Sequence, residues 1–306
     1  MDRRAVIDIG TNSIKLYVAE RASDGSLASV VDKNNIARLG EGMGDTGILQ
    51  SEAIARNAQA VADFAELARA TGAKEIVAVG TMALRTAKNA SDFMSAVHEL
   101  SGVDVRVIPG EEEAGLAYLA VLSGIGASAG RLAVCDVGGG STEFIFGGDA
   151  GVDRRFSINL GAVKISDKYL ASDPPSPEQV ELAMSSVLGE LQANRVDAAR
   201  PVDRLIGIGG TVTSMGSVKL KMAQYDPDLI QGAALTRGDV DELIRLFCSV
   251  PLGDRRSIVG LQPKRAEVII GGACIVRCIM ECLDVAELTM SDRGLRHGLM
   301  FQLFQR

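Results

Sequence analysis

Two stretches of this chain end an apolar run on an aspartate and follow it with a glycine turn. The first is AVIDIGTNSIKL, residues 5–16; the second is AVCDVGGGSTEFIF, residues 133–146. Glycine lets successive backbone N–H groups converge on one anion. Gly10 opens the first turn, and Gly138, Gly139 and Gly140 open the second more widely. Thr11, Asn12, Ser13, Ser141 and Thr142 add side-chain donors. That chemistry suits phosphate. Asp8 and Asp136 would repel phosphate directly, but they suit Mg²⁺ or another divalent cation, or its waters, bridging to phosphate oxygens. One Asp-x-Gly occurs in many ordinary turns; two in matching strand-turn-strand settings point to a pair of phosphate loops.

A third glycine cluster, GIGGTVTS (207–214), stands between an expected strand and an expected helix. Gly209, Gly210 and Thr211 fit a further phosphate wall. The dinucleotide fingerprint fails, because Val212 stands where its third glycine belongs and no ribose-binding acid is well placed. No G-x-x-x-x-G-K-[ST] is present, so there is no P-loop. PGEEEA (109–114) puts three acids in the first turn of a helix. Complementing the helix dipole needs fewer than three. One of Glu111, Glu112 and Glu113 could therefore activate water as a general base.

These residues need an α/β frame to position them. Strands are expected at 5–9, 14–20, 27–36, 74–80, 103–108, 131–137, 142–147, 204–209 and 285–291. RASDGS (21–26) reads as a hairpin turn. Helices are expected from Ser51 to Gly72, from Thr81, from Ser91 to Leu100, and from Glu111 to Leu122. Others follow from Ser176, from Thr211, and over 237–248, 264–283 and 293–304. Strands and helices interleave throughout, which gives class α/β. The pattern restarts after residue 130. Two similar halves are expected, 1–122 and 123–306, hinged near SGIGASAG (123–130), with the C-terminal helix of about 296–306 packing back on the first.

The chain has 306 residues, 47% of them apolar, and a formal net charge of −7. An acidic average field disfavours nucleic acid and anionic membrane surfaces. No apolar stretch reaches the length of a membrane span, and Met-Asp-Arg-Arg runs straight into a strand, so the expected compartment is the cytoplasm. Cys274, Cys278 and Cys282 recur every fourth residue, and Cys135 and Cys248 stand apart. A buried small-residue stripe fits them better than a thiol metal site. Arg255 and Arg256 read as a solvated loop, Lys264 and Arg265 as cations at a helix start, and His297 as a packing or surface residue.

With these residues in view, the chain resembles the exopolyphosphatase / guanosine pentaphosphate phosphatase (Ppx/GppA) family, within the superfamily of sugar kinases, actin and heat-shock ATPases. The two Asp-x-Gly stretches look like that family's phosphate loops. NIARLGEG (35–42) is similar to its arginine loop, and GTMALRTAKN (80–89) to A-T-x-A-x-R-x-A-x-N, with Gly80 where Ala is common. PGEEEA is similar to G-x-E-E-A, GIGGTVTS to the G-T segment, and SDRGLRHG (291–298) to S-D-x-x-L-R-x-G. The resemblance implies two similar actin/ribonuclease-H-like domains facing a central cleft. It implies Glu113 as the catalytic base, Asp136 and Glu143 as metal-holding acids with Asp8 opposite, and Arg38 and Arg85 as contacts to the phosphate chain. It further implies a polymeric or small anionic phosphate substrate, Mg²⁺ dependence and a homodimer. Arg293 and Arg296, in the last motif, stay open between ligand contact and structure. A kinase of the same superfamily and a non-catalytic phosphate or alarmone sensor are the competing readings. The first would need an adenosine pocket; the second would lack a water-activating acid.

Overall fold

The computed structural model describes residues 2–22, 27–125, 130–148, 151–196 and 201–305. The tip of the RASDGS turn (23–26) and half of the SGIGASAG segment (126–129) lie outside the described residues. The chain divides into two compact units, Met1–Ala120 with Leu295–Arg306, and Val121–Gly294.

The first unit runs β1 (Arg3–Ile9), β2 (Ile14–Arg21), β3 (Leu27–Asn35), α1 (Ser51–Ala70), β4 (Glu75–Gly80), α2 (Met82–Thr86), α3 (Ala90–Ser101), β5 (Val105–Val107) and α4 (Gly110–Ile125), whose last turn passes into the second unit. The second runs β6 (Leu132–Val137), β7 (Thr142–Gly148), β8 (Gly151–Ile158), α5 (Ala162–Tyr169), α6 (Pro177–Ala193), β9 (Arg204–Ile208), α7 (Gly209–Lys219), α8 (Pro227–Ile230), β10 (Ala234–Thr236), α9 (Arg237–Cys248), α10 (Leu252–Arg255), α11 (Ile269–Cys282) and β11 (Glu287–Met290). Helix α12 (Leu295–Gln305) then returns to the first unit.

The two sheets share a plan. The first is ordered β3-β2-β1-β4-β5 and the second β8-β7-β6-β9-β11-β10. Each begins as an antiparallel meander and continues as three adjacent parallel strands, β1, β4 and β5 or β6, β9 and β11. In an open sheet of this kind, loops at the carboxyl ends of parallel strands are where ligands bind. The two Asp-x-Gly turns follow β1 and β6. The α2 segment follows β4, PGEEEA follows β5, GIGGT closes β9 and SDRG follows β11.

Covering both faces of β1 explains why Ala5, Val6 and Ile7 are apolar in succession. Ile7 and Ile9 pack into a core with Val61, Ala65, Phe93 and Val97 from α1 and α3. Val6, on the opposite face, packs with Leu299, Met300 and Leu303 of α12. Gly298 lets α12 lie directly on the backbone of α4, where an added Cβ would strike the Leu116 carbonyl.

Asp32 on β3 fixes the same helix. Arg296 donates to both its oxygens, at 3.1 and 3.0 Å, and the His297 ring packs tilted against Tyr17 with ring centroids 4.5 Å apart. Burial pushes the Asp32 carboxyl up. The hydrogen bonds and charges of His297 and Arg296 outweigh burial and leave the pKa below its ordinary value. A depressed carboxyl contributes stability that is complete above its unfolded pKa and fades as pH falls through the folded one. Lowering pH from about 6 to about 3 should therefore cost the wild-type protein more melting temperature than Asp32→Asn loses over the same range. Parallel acid profiles would show that Asp32 does not tie α12 down.

Several local expectations need correction. Helix α1 starts at Ser51 as expected but ends at Ala70, and Ser51 is its first residue rather than a cap: the N-cap is Gln50, without a side-chain bond. Helix α3 starts after Asn89 rather than Ser91, and Asn89 instead exchanges hydrogen bonds with the backbone of Leu49. The helix expected over 264–283 breaks into a short 3₁₀ turn at Pro263–Arg265 and then α11. Arg255 is no solvated loop residue. It is 4% exposed and donates to the carbonyls of Phe247, Val250 and Ala266 and to Asp173. The capping box at Ser176 and Gln179 opens α6 as expected. Burial pushes the thiols of Cys135 and Cys274 up to about 12, and that of Cys278 upward, so these cysteines sit in the core as protonated small residues.

Candidate functional site

In the first unit, the β1–β2 turn is closed by Gly10 N–H donating to the Ser13 carbonyl at 2.9 Å. Asp8 and Asn12 are buried, while Gly10, Thr11 and Ser13 are half-buried. A second segment zips onto this turn. Arg38 N–H donates to Asn12 O at 3.0 Å, and Gly40 N–H donates to Thr11 O at 2.9 Å. Gly40 lies close against Thr11, where an added Cβ would meet the Thr11 methyl and force that side chain to turn. Arg38 holds φ +53°, which is uncommon for a residue with a Cβ. Its backbone is braced by Arg56, which donates to the carbonyls of Ala37 and Arg38, and by Asn57, which donates to Ala37.

The next two parallel strands add a cation and an acid. At the end of β4, Thr81 N–H donates to Ile9 O, so α2 starts beside the first loop. From α2, Arg85 reaches Glu113 in the first turn of α4, Nη1 to Oε2, at 2.5 Å. The three acids of PGEEEA thus separate. Glu111 is exposed, Glu112 pairs with Arg106 at 2.8 Å, and Glu113 is buried at 8% exposure against Arg85.

In the second unit, Gly138 N–H donates to Ser141 O at 3.0 Å, the same closure as in the first loop. The glycine loop is then braced from behind. Ala162 and Val163 N–H donate to the Gly138 and Gly139 carbonyls, at 2.9 Å each. Thr142 Oγ1 donates to Leu160 O, and Thr211 Oγ1 donates to Val137 O at 3.0 Å. Gly161 lies so close that a Cβ would strike the backbone of Gly139 and Gly140. Gly209, at φ +84°, lies against Asp136 Oδ1, and Gly210 lies against the Arg265 guanidinium.

The two loops differ in charge at one matching position. In the first hairpin Asp8 faces Lys15, with Nζ 3.7 Å from Oδ2. In the second, Asp136 faces Glu143. Two carboxylates directly opposite on antiparallel strands repel. Glu143 is only 2% exposed and accepts from Ser157 Oγ at 2.7 Å. Two carboxylates paired across the hairpin beside a phosphate-suited loop are hard oxygen ligands of the kind a divalent cation takes. The residues therefore fit Mg²⁺ at Asp136 and Glu143, whereas Asp8 has its charge offset by Lys15. Arg265 adds a positive charge beside Gly210. Burial lowers its pKa to about 10, so it stays a cation at neutral pH.

The sequence profile of the Ppx/GppA phosphatase family matches residues 17–306. The chain belongs to that family. It is 31% identical to exopolyphosphatase 2 of Mycobacterium tuberculosis, over 99% of both chains. It is also 31% identical to a guanosine-5'-triphosphate,3'-diphosphate pyrophosphatase of Vibrio atlanticus, over 98% of this chain and 59% of that protein. Among solved structures, the Ppx/GppA member from Aquifex aeolicus superposes with a TM-score of 0.82 at 32% identity, covering 99% of this chain and 98% of that one. The α/β architecture, with sheets of five and six strands, is the actin-like fold of the Ppx/GppA family.

Within each unit of this Ppx/GppA chain, the sequence-derived residues gather at the ends of neighbouring parallel strands. Gly10–Ser13, Arg38, Arg85 and Glu113 do so in the first. Asp136, Gly138–Glu143 and Gly209–Thr211 do so in the second. Arg296 is engaged by Asp32, and Arg293 donates to the carbonyl and hydroxyl of Ser123. Sequence reasoning passed over Lys15, Ser157 and Gly161. Lys15 was recoverable by laying one Asp-x-Gly stretch over the other, which puts it opposite Glu143. Ser157 and Gly161 carry no local signature.

Proposed function

We propose that this Ppx/GppA phosphatase removes the terminal phosphoryl group of inorganic polyphosphate, of guanosine pentaphosphate, or of both, by attack of a base-activated water. The observation that carries the reading is the asymmetry of two otherwise matching loops. One carries Lys15 opposite its aspartate, and the other carries Glu143. The names of the Mycobacterium tuberculosis and Vibrio atlanticus relatives support phosphoanhydride substrates of these two kinds.

Each residue has a physical role in this reading. The amides and side-chain hydroxyls of Gly139–Ser141 and Thr11–Ser13 donate to phosphoryl oxygens, where negative charge grows in the transition state, while the Gly10 and Gly138 amides and the Thr142 hydroxyl hold the loops closed. Asp136 and Glu143 hold the divalent cation, which when bound offsets charge on the phosphates. Glu113 accepts the proton of the attacking water. Arg38 and Arg265 supply fixed guanidinium donors, which match phosphate oxygens better than an ammonium would. Positioning and electrostatics supply most of the catalysis in phosphoryl transfer, so these parts suffice.

The reading is tested by measuring phosphate release with Mg²⁺ from long polyphosphate, short polyphosphate, guanosine pentaphosphate and ATP side by side. Release from one of the first three that is faster than from ATP supports it. Release from none overturns it. Asp136→Asn and Glu143→Gln should each raise the Mg²⁺ needed for half-maximal rate by roughly tenfold or more, since each removes a hard anionic ligand. They should also reduce the melting-temperature gain that Mg²⁺ gives. Full activity in excess chelator would remove the metal from the account.

A further inference from the structure

Arg85 does something a simple substrate contact would not do. Its Nη1 donates to Glu113 Oε2 at 2.5 Å and to the Ile108 carbonyl at 3.0 Å. A terminal guanidinium nitrogen carries two hydrogens, and these two bonds use both. Ile108 stands just before α4, and Glu113 N–H donates to Pro109 O at 3.0 Å in that helix's first turn. One nitrogen therefore ties the approach to the helix and the carboxylate within it. Arg85 itself is anchored. Its N–H donates to Thr81 O at 3.0 Å, and Thr81 N–H donates to Ile9 O at 3.1 Å, at the end of β1. Arg85 and Glu113 thus share a hydrogen-bonded frame with the first phosphate loop.

The pair is shielded from water, with side-chain exposures of 17% and 11%. A charge-assisted bond there is much stronger than one at the surface. Of the other acids of the cluster, Glu112 is held by Arg106 and Glu111 is exposed. Lys15 is paired with Asp8 across β1 and β2. Arg85 is a cation the structure places directly on Glu113.

We infer that Arg85 is a positioning residue for the general base: it fixes the Glu113 carboxylate by its Oε2 oxygen and favours the ionised form that can accept a proton. The inference rests on the reading of Glu113 as the base. It differs from a phosphate-chain contact in what it moves. A contact remote from the scissile bond would lower affinity and weaken with salt. A positioning cation acts on turnover and on the acid limb of the pH profile, where the base loses its charge.

The test is kcat and KM for polyphosphate against pH, at saturating Mg²⁺, for the wild-type protein, Arg85→Ala, Arg85→Lys and Glu113→Gln. Arg85→Ala should lower kcat about 10²-fold, the cost of a misplaced group, and change KM by less than about threefold. Its acid limb should move up by about one pH unit or more, because a carboxylate beside Arg⁺ is typically depressed by 1–3 units. Arg85→Lys keeps the charge but not the two-point hold. It should return the limb towards its wild-type position while kcat stays about tenfold low. A rise in KM with kcat and limb unchanged, in either variant, would make Arg85 a substrate contact and overturn the inference. Unchanged kcat, KM and limb would overturn it too. If Arg85→Ala fails to fold, Arg85→Lys decides by the same kcat-against-KM split. An active Glu113→Gln would overturn the base assignment and the inference together. An inactive Glu113→Gln beside Arg85 variants that change only KM would overturn the inference alone.

Discussion

Replacing Glu113 by Gln should lower turnover ~10²–10⁴-fold, the usual cost of removing a general base. The amide keeps the size of the side chain and an oxygen that can still accept from Arg85, so the first turn of α4 should keep its shape. What is lost is the basic oxygen. Substrate affinity, measured on the inactive variant, should stay within about threefold of the wild-type KM, because a group that acts on water contributes little to ground-state binding. Thermal unfolding supplies the control. Glu113 is buried against Arg85, so the neutral variant can lose some stability, but it should fold. Turnover within about twofold of wild type would remove Glu113 from the mechanism and turn attention to Glu112, whose own partner is Arg106.

Gly161→Ala should have the next largest effect. Gly161 is the N-cap of α5, and its missing Cβ is what lets the glycine loop lie on that helix. The atoms in the way are the carbonyl of Gly139 and the carbonyl carbon of Gly140, which are backbone and cannot rotate aside. The first-turn N–H groups of Ala162 and Val163 hold the same loop by its carbonyls. An alanine must therefore push the loop away from α5 and strain both bonds. A displacement of about 1 Å in a positioning element can cost ~10²-fold in rate. Steric insertion into a packed site typically costs a further ~1–3 kcal/mol of stability. Gly189→Ala is the matched control. That glycine lies on an exposed face of α6 with nothing near its Cβ direction, so alanine there should stabilise by roughly 0.5–1 kcal/mol and leave kcat alone. Equal activity in the two variants would mean that α5 does not hold the loop in place.

How much of this was written in the sequence depends on how local each constraint is. The Asp-x-Gly loops were legible because a phosphate-suited turn needs its acid, glycine and hydroxyls within a few residues. Strand, turn and helix starts such as Ser176-Pro177-Glu178-Gln179 were legible for the same reason. The twin architecture followed from the restart at residue 131. The pairing of Arg85 with Glu113 was not legible. It spans 28 residues and depends on α2 and α4 leaving adjacent strands β4 and β5. Arg255 was misread because nothing in PLGDRRS distinguishes an arginine that satisfies three backbone carbonyls from one in solvent. Strand β8 escaped because five of its eight residues face water and its apolar contacts come only near its end, from Phe156, stacked 5.4 Å from Phe144, and the buried Ile158. Asp136 and Glu143 were both named as metal-holding acids. Only the strand register shows that they face each other while Asp8 faces Lys15.

Water attack on the terminal phosphorus is the centre of this account, and isotope incorporation measures it most directly. The protein is given guanosine pentaphosphate or a short linear polyphosphate, whichever it turns over, with Mg²⁺ in ¹⁸O-labelled water. Turnover is stopped early, and both products are read by mass spectrometry. The orthophosphate released should carry one solvent oxygen and the shortened chain none, in the wild-type protein, with neither product formed above background by Glu113→Gln. Label in the shortened chain, or transfer of the phosphoryl group to an added hydroxyl acceptor in place of water, would contradict it.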